Sequence, residues 1–332
     1  MDSLTQIVLG AAVGEAVLGK KIGNKAMLYG AIAGTIPDLD VLSSYVVDTV
    51  SALELHRGFT HSIVFSVFMG LGLGWLVSKY DCSATRKEWS WLFFMSLVTH
   101  PLLDAHTTWG TQLFWPLDLR LAYKNIFVID PLYTVPFMVF LIWAMCLSKS
   151  SNKRRQLNNL GLLISSAYML VTIGLKGLSY QQFKNALAEQ HINYNELETK
   201  PSPLNTILWT ANIAQEDSFL IGDYSFFDTQ TITFKKYSKN HHLISHLKSD
   251  DKLERLIHIS EGWFTITEIE GQIYFNDLRF GLIDANDKQH EQFVFSYLLS
   301  EKDGALTVTE VPKDVTDGQQ ILFNLWERIK GN

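Results

Sequence analysis

The chain has 332 residues, of which 47% are hydrophobic and 19% charged, an average typical of soluble proteins. The average conceals two unlike parts: residues 1–180 carry 14 Lys and Arg against 11 Asp and Glu (net +3), whereas residues 181–332 carry 14 against 23 (net −9). Since the first part contains apolar stretches and both cysteines, the composition excludes a soluble two-domain enzyme, a disordered chain and a disulfide scaffold, and the absence of a broad basic surface argues against a nucleic-acid partner.

The N-terminal segment is predicted to remain in the mature protein, because it lacks the basic start and the small-residue cleavage site of a signal peptide. Residues 4–18 and 26–36 are short for membrane spans but rich in Gly and Ala, which predicts a closely packed pair of helices. Clearer apolar segments approach the ~20 residues needed to cross a bilayer. These segments are residues 62–78, 89–103, 131–147 and 157–177. The sequence therefore predicts an α-helical membrane domain of about six helices over residues 1–180.

The positive charges in the connections predict the orientation, because Lys and Arg in short loops are retained in the cytoplasm. The connections 19–25, 79–88 and 148–156 contain ten Lys and Arg, whereas the connections 38–61 and 104–130 contain three. We therefore expect a multi-pass protein of the bacterial inner membrane. Its C-terminal domain is predicted on the outer, periplasmic side.

Residues 181–332 show short runs of alternating apolar and polar residues, a pattern typical of strands. The predicted strands are residues 218–227, 231–237, 262–268 and 272–275, and the predicted helices are residues 250–257 and 318–329. This part is expected to be a small, strand-rich α+β soluble domain.

Histidines and acids of the first part gather at the predicted outer ends of the helices. The candidate metal ligands are Asp38, Asp40, His56, His61, His100, Asp104 and His106. His100 and Asp104 are four residues apart and share one helix face. Imidazole and carboxylate groups suit a divalent transition metal, and we expect zinc, with one to three ions.

The same pattern predicts hydrolytic chemistry. Asp38 and Asp40 could each bind an ion or bridge a pair, and metal-bound water is a nucleophile at neutral pH. The predicted catalytic residues are Asp38, Asp40, His61 and Asp104. Alternatively, the two acids at residues 38 and 40 terminate a helix, His100 and Asp104 form a structural hydrogen bond, and His106 is an interfacial histidine. Charged groups inside an apolar segment are costly, so His100 and Asp104 require a partner in either case.

Supporting or substrate-binding roles are predicted for Glu15, Arg57, Thr60, Gln112 and Arg279. Glu15 lies within an apolar helix and needs a cation, a metal or a proton, so it either supports the site or packs in a protonated form. Thr60 and Gln112 could orient the ligands. The two arginines could pair with a phosphate, although a salt bridge to Asp277 is an equal explanation for Arg279.

Four motifs resemble those of a known family: residues 34–40 (GTIPDLD), 56–62 (HRGFTHS), 100–104 (HPLLD) and 277–281 (DLRFG). Together they resemble the YdjM/YbcI-type inner-membrane metal-dependent hydrolases, and the resemblance extends over nearly the whole chain. It implies a membrane protein with a hydrolytic metal site. Gln6 stands where many relatives have a histidine, which leaves the number of metal ions open.

The order of an acidic pair, a histidine pair and a His-x-x-x-Asp motif is also similar to the zinc-dependent phospholipase C and single-strand nuclease group. That likeness implies a phosphate ester as substrate and a metal-ligating role for the acids and histidines of the three motifs. The predicted function is a membrane-embedded hydrolase that uses metal-activated water on a lipid or lipid-linked phosphate ester at the outer membrane interface, with membrane lipids as partners. The alternative is a non-enzymatic membrane protein that binds metal, or binds a protein partner through its outer domain.

Overall fold

A computed structural model of the chain describes residues 1–247, 250–283, 292–302, 305–313 and 317–332. The first part of the chain is helical and the last part contains two antiparallel sheets. The N-terminal helices are α1 (Ser3–Ile22), α2 (Asn24–Thr35), α3 (Thr49–Leu55), α4 (Ile63–Tyr80), α5 (Arg86–Asp104), α6 (Pro131–Met145) and α7 (Asn152–Glu189), with 3-10 segments at Pro37–Tyr45 and Phe59–His61.

Two helices, α4 and α7, are long and apolar enough to cross a membrane, by length and composition among the described residues. The prediction of about six spans is therefore corrected. The remaining helices fail for simple reasons: α2 has 12 residues and α6 has 15, which at ~1.5 Å per residue fall short of a ~30 Å hydrocarbon core. α1 and α5 are longer, but both contain charged residues near their ends.

Glycines bring α1 and α2 into the close contact that their composition predicts. A Cβ atom on Gly10 would lie 2.3 Å from the carbonyl oxygen of Gly30, and one on Gly14 would lie 2.2 Å from that of Ala26. Only glycine fits at such distances. The same contact continues to the end of α2, where a Cβ on Gly34 would lie 2.7 Å from the carbonyl oxygen of Gln6. The pair therefore fixes the start of the Pro37–Tyr45 segment against the beginning of α1.

Glu15 is paired with Arg154 rather than with the candidate metal ligands. The guanidinium donates from Nε to Oε1 at 2.6 Å and from Nη2 to Oε2 at 2.5 Å, and both side chains are buried. Arg154 also donates to the side-chain oxygen of Asn24 and to the carbonyl oxygen of Leu147. The cation that the apolar environment of Glu15 requires thus comes from α7, and the supporting role predicted for Glu15 is corrected to a structural one.

The basic connections lie together at one end of these helices. Lys21 pairs with Glu88 at 2.7 Å, and Lys149 donates to the carbonyl oxygen of Lys21 at 3.1 Å. At the other end of α5, the connections 38–61 and 104–130 are hydrogen bonded through the backbone N–H of Gln112 and the carbonyl oxygen of Arg57. Consequently each group of loops that the sequence assigns to one side is internally connected.

The C-terminal part contains two four-stranded antiparallel sheets, with the strand orders β1-β2-β3-β4 and β5-β6-β7-β8. The strands are β1 (Glu196–Pro201), β2 (Leu208–Ala214), β3 (Ser218–Ser225), β4 (Phe234–Ser238), β5 (Phe264–Ile269), β6 (Gln272–Leu282), β7 (Phe293–Lys302) and β8 (Ala305–Glu310), and the helices are a 3-10 segment at His241–Leu247, α8 (Asp251–Ile259) and α9 (Gly318–Ile329). A helical part followed by a small α+β domain is confirmed.

The residues group into two compact units, and two short segments each belong to the unit that is remote from them in sequence. The first unit comprises Met1–Tyr45, Leu55–Leu175 and Pro203–Asn205, and the second comprises Val46–Glu54, Lys176–Ser202 and Thr206–Asn332. Within the second unit, Arg255 of α8 pairs with Glu54 at 2.6 Å and donates to Ser51 at 3.0 Å. The segment that separates Asp40 from His56 is thus held by α8.

Candidate metal centre

Four of the predicted ligands converge at one point, from three separate parts of the chain. Asp38 follows α2 in a 3-10 segment, His61 ends the 3-10 segment before α4, and His100 and Asp104 lie on the last turns of α5. One ligand atom from each residue lies within 4.8 Å of the other three. The i, i+4 spacing of the last two residues places them on one helix face, as the sequence predicts.

The distances between the donor atoms suit one small cation. The Nε2 atoms of His61 and His100 are 3.1 Å apart, and Oδ1 of Asp38 lies 3.5 and 3.3 Å from them. Oδ2 of Asp104 lies 3.5 and 3.6 Å from the same two nitrogens. A tetrahedral ion with ligands at ~2.0–2.1 Å has ligand-to-ligand distances of roughly 3.3 Å. The four atoms therefore have the number and the spacing that one tetrahedral ion takes.

The hydrogen bonds of the two imidazoles direct their lone pairs to the same place. Nδ1 of His100 donates to the carbonyl oxygen of Gly34 at 2.6 Å, which leaves Nε2 as the acceptor nitrogen. Nδ1 of His61 lies 3.3 Å from Oδ2 of Asp40, so its Nε2 is likewise the free nitrogen. Two lone pairs facing each other at 3.1 Å repel unless a cation lies between them. Either a proton or a metal ion must occupy this point.

The predicted ligands Asp40 and His56 are not in the group of four. Oδ2 of Asp40 accepts from the backbone N–H of Arg57 at 2.8 Å and from the hydroxyl of Thr60 at 3.1 Å. Its Oδ1 lies 3.1 Å from Nδ1 of His56. Burial raises the pKa of Asp40, but the hydrogen bonds with His56 and His61 outweigh burial and hold this pKa well below its usual range. Asp40 is thus an ionised carboxylate that orients His61.

Thr60 lies beside the group: its hydroxyl is 3.1 Å from Nδ1 of His61 and also donates to Asp40. Arg57 is buried, with a positive φ of 57°. Its Nε lies 3.0 Å from Oδ2 of Asp104, and its Nη1 donates to the hydroxyl of Thr107. This guanidinium therefore holds a ligand in place instead of being free for a phosphate.

Asp104 has neighbours that the sequence patterns did not single out as partners. Oδ1 accepts from the side-chain amide of Gln6 at 2.8 Å and contacts the main-chain nitrogen of Met1. Oδ2 is buried, forms the ion pair with Nε of Arg57 and lies within 3.6 Å of the Nε2 atoms of both imidazoles. A buried carboxylate oxygen that faces two imidazole nitrogens is suitably placed to be a metal ligand. The donor set therefore fits a divalent cation.

The other predicted residues lie outside this group. Nδ1 of His106 lies 2.8 Å from the side-chain oxygen of Asn125, whose amide donates to Thr172, so His106 belongs to a separate network. Gln112 contributes its backbone N–H to the carbonyl oxygen of Arg57. In the second unit, Arg279 is fully buried and forms a salt bridge with Asp277 at 2.7 Å, so its donors are engaged there.

Asparagine at residue 40 is expected to weaken metal binding about 10- to 100-fold without abolishing it, since loss of a carboxylate behind a metal-ligating histidine has an effect of that size. The dissociation constant is measured by competition with a fluorescent chelator. The matched control is Asp48→Asn, because Asp48 caps the start of α3 and contacts no member of the group. The assignment is overturned if Asp40→Asn binds metal as wild type does, or not at all.

Metal binding at pH 7 is expected to release about one proton per ion, because a ligand must lose its proton to bind. Burial lowers the pKa of His61, but its hydrogen bonds with Asp104, Asp38 and Asp40 outweigh burial and raise this pKa to about 9. Metal affinity should therefore rise with pH up to 9. Without metal, the same shift stabilises the folded protein below pH ~6.5, and this contribution is lost as the pH rises through 9.

Calorimetric titration with zinc in two buffers of different ionisation enthalpy measures the protons released. A binding enthalpy that is the same in both buffers at pH 7 would contradict the raised pKa of His61. A matched titration at pH 10 should show little dependence on the buffer, because His61 is then already neutral.

Comparisons with known proteins agree with a membrane protein. No solved structure matches the chain. Inner membrane protein YbcI of Escherichia coli (strain K12) is 30% identical over 112 residues, which are 34% of this chain and 64% of that protein. The match thus spans slightly less than two thirds of the relative's length. The model of the YdjM inner membrane protein family matches residues 1–179, which include the whole candidate metal centre, and the chain therefore belongs to the YdjM inner membrane protein family.

Proposed function

We propose that the chain is a multi-pass inner-membrane hydrolase that depends on a divalent metal ion, with zinc as the preferred candidate. Its substrate is a phosphate ester of a lipid or of a lipid-linked compound at the outer membrane interface. The observation that carries the proposal is the convergence of four donor atoms on one point, with two imidazole lone pairs turned toward each other at 3.1 Å.

The ability of the group to hold a cation favours a phosphate ester among possible substrates, because a cation neutralises charge on phosphoryl oxygens. Burial raises the pKa of Asp38, but the hydrogen bonds with His100 and His61 outweigh burial and hold this pKa well below its usual range, so Asp38 is ionised. A metal ion held by the two carboxylates and two imidazoles would need a fifth ligand to act on substrate, and it would then be a Lewis acid toward a bound phosphoryl oxygen or lower the pKa of a bound water. Asp38 is the member of the group whose side chain reaches the surface, at 26% exposure, whereas those of His61, His100 and Asp104 are at 0%. Substrate therefore approaches from the side of Asp38.

The contacts among the loops support the proposed orientation. Three basic connections are joined at one end of the helices through Lys21, Glu88 and Lys149, and the metal-ligand group lies at the opposite end of α1, beside Gln6. Retention of positive loops in the cytoplasm then assigns the group, and the domain after α7, to the periplasmic side.

The proposal is tested with protein purified in detergent and loaded with zinc. Metal content is measured by elemental analysis, and release of headgroup or phosphate is followed during incubation with a total lipid extract. We expect about one ion per chain and release of product that Asp38→Asn abolishes. An unchanged lipid extract in the presence of fully loaded protein would reject hydrolysis and favour a metal-binding sensor, and a protein that binds no transition metal would reject both.

A further inference from the structure

The loops around the metal-ligand group carry apolar side chains on their outer surface. In the Pro37–Tyr45 segment, Leu39, Leu42 and Tyr45 are 57%, 55% and 84% exposed, while the side chain of Asp40 is almost fully buried. Residues three apart eclipse one another in a 3-10 helix, so these three side chains form one stripe. The segment thus turns its carboxylate inward and an apolar edge outward.

The second loop presents the same kind of surface. Phe59, two residues before His61, is exposed and packs edge-on against Trp115 with the ring centroids 4.9 Å apart. Leu117, two residues beyond Trp115, is 63% exposed. Exposed apolar side chains therefore lie on the 3-10 segment that contains Asp38 and on the connections around His61.

This surface is continuous with the outer face of a membrane-spanning candidate. Phe59 also packs against Phe65 in the first turns of α4, with the centroids 5.4 Å apart. Only 22% of the residues of α4 are buried within the protein, and Phe68 is 71% exposed. The exposed apolar side chains of the loops are thus adjacent to the exposed apolar face of α4.

We propose that the apolar collar, defined as Leu39, Leu42, Tyr45, Phe59, Trp115 and Leu117, is embedded in the boundary between headgroups and acyl chains of the leaflet on the side of the metal centre. Continuity with α4 favours lipid over a protein partner as the occupant. Tyr and Trp are the residues enriched at this depth, and soluble proteins rarely expose a contiguous apolar surface of this kind. The inference rests on the part of the proposed function that places α4 in the membrane. Its consequence is that the group opens at headgroup depth.

The test measures the depth of single fluorescent labels in vesicles of phosphatidylethanolamine and phosphatidylglycerol. Cys82 and Cys146, the exposed cysteines, are first replaced by serine, and an environment-sensitive dye is then attached at Leu42→Cys or Leu117→Cys. The matched control is Glu268→Cys, an exposed position on β5. Phospholipids with a nitroxide near the headgroup serve as the lipid quencher, and iodide serves as the aqueous quencher.

We expect the collar labels to be quenched several-fold more by the nitroxide lipids than the control label, and several-fold less by iodide. Equal quenching by iodide at Leu42, Leu117 and Glu268 would overturn the proposal, because the collar would then lie in water. Protection from both quenchers would overturn it in favour of a protein partner. Unchanged zinc affinity of the labelled variants verifies their fold. Since the readout is fluorescence, a failure of hydrolysis leaves this result intact, and a failure here leaves turnover in detergent to be judged separately.

Discussion

Alanine at residue 100 is expected to lower metal affinity by more than about 100-fold and to abolish any metal-dependent turnover, since even indirect supports of a ligand contribute 10- to 100-fold. The change removes one of four donors and leaves the Nε2 atom of His61 facing an empty space. It also removes the hydrogen bond to the carbonyl oxygen of Gly34 at 2.6 Å. Metal content after dialysis and the dissociation constant for zinc are the measurements.

The chain offers a matched control six residues away. His106→Ala removes an imidazole just beyond the end of α5, but His106 is bonded to Asn125 and is not a member of the group. This variant should bind zinc as wild type does, and thermal unfolding of both variants verifies that each is folded. Equal zinc content in folded His100→Ala and wild type would disprove the site, and loss of zinc in His106→Ala would mean that the ligand set is wrong.

Leucine at residue 15 is expected to destabilise the protein by about 3–5 kcal/mol, the usual cost of leaving one partner of a buried ion pair without the other. Arg154 would retain its bonds to Asn24 and to the carbonyl oxygen of Leu147 but would lose both bonds to a carboxylate. The free energy of unfolding in detergent, measured with denaturant, gives the effect. Zinc affinity of the folded fraction should not change, because Glu15 is nine residues from Gln6, or ~13.5 Å along α1.

The double variant Glu15→Leu, Arg154→Leu provides the control for this prediction. Replacing a whole buried pair by apolar residues is often neutral, so the double variant should recover most of the lost stability. If the free energy of unfolding of Glu15→Leu equals that of wild type, the ion pair contributes nothing to stability. If its zinc affinity falls with its stability intact, the supporting role predicted from the sequence is the better explanation.

The sequence could indicate that His61, His100 and Asp104 lie close together because two of the rules involved are purely local. A His-x-x-x-Asp motif at the end of a helix places both side chains on one face, and His61 precedes the neighbouring helix at the same level. The acidic pair was harder. Residues two apart in a 3-10 helix differ by ~240° in direction, so Asp38 and Asp40 cannot both face one ion as they could from an open loop. The spacing of the two residues alone does not show which of the two carboxylates faces His100 and Asp104.

The errors in the fold have equally specific causes. Arg154 was counted among the exposed loop charges, whereas it is the buried partner of Glu15, a pairing across 139 residues that no local pattern encodes. The predicted number of membrane spans was too high because it was based on apolar composition, whereas several of the helices are too short to cross a bilayer. β2 was missed because most of its side chains are buried, so the alternation that marks a half-exposed strand is absent.

The nine residues from Val46 to Glu54 bear on any attempt to study the helices by themselves. Cleavage near residue 180 would remove α8 and, with it, the guanidinium that binds Glu54 and Ser51. This segment lies between Asp40 and His56 in the sequence, and Asp40 contacts both His56 and the proposed ligand His61. A truncated helical part would therefore carry every proposed ligand but would lack the α8 partner of Glu54 and Ser51, and weak metal binding by such a fragment would say little about the intact chain.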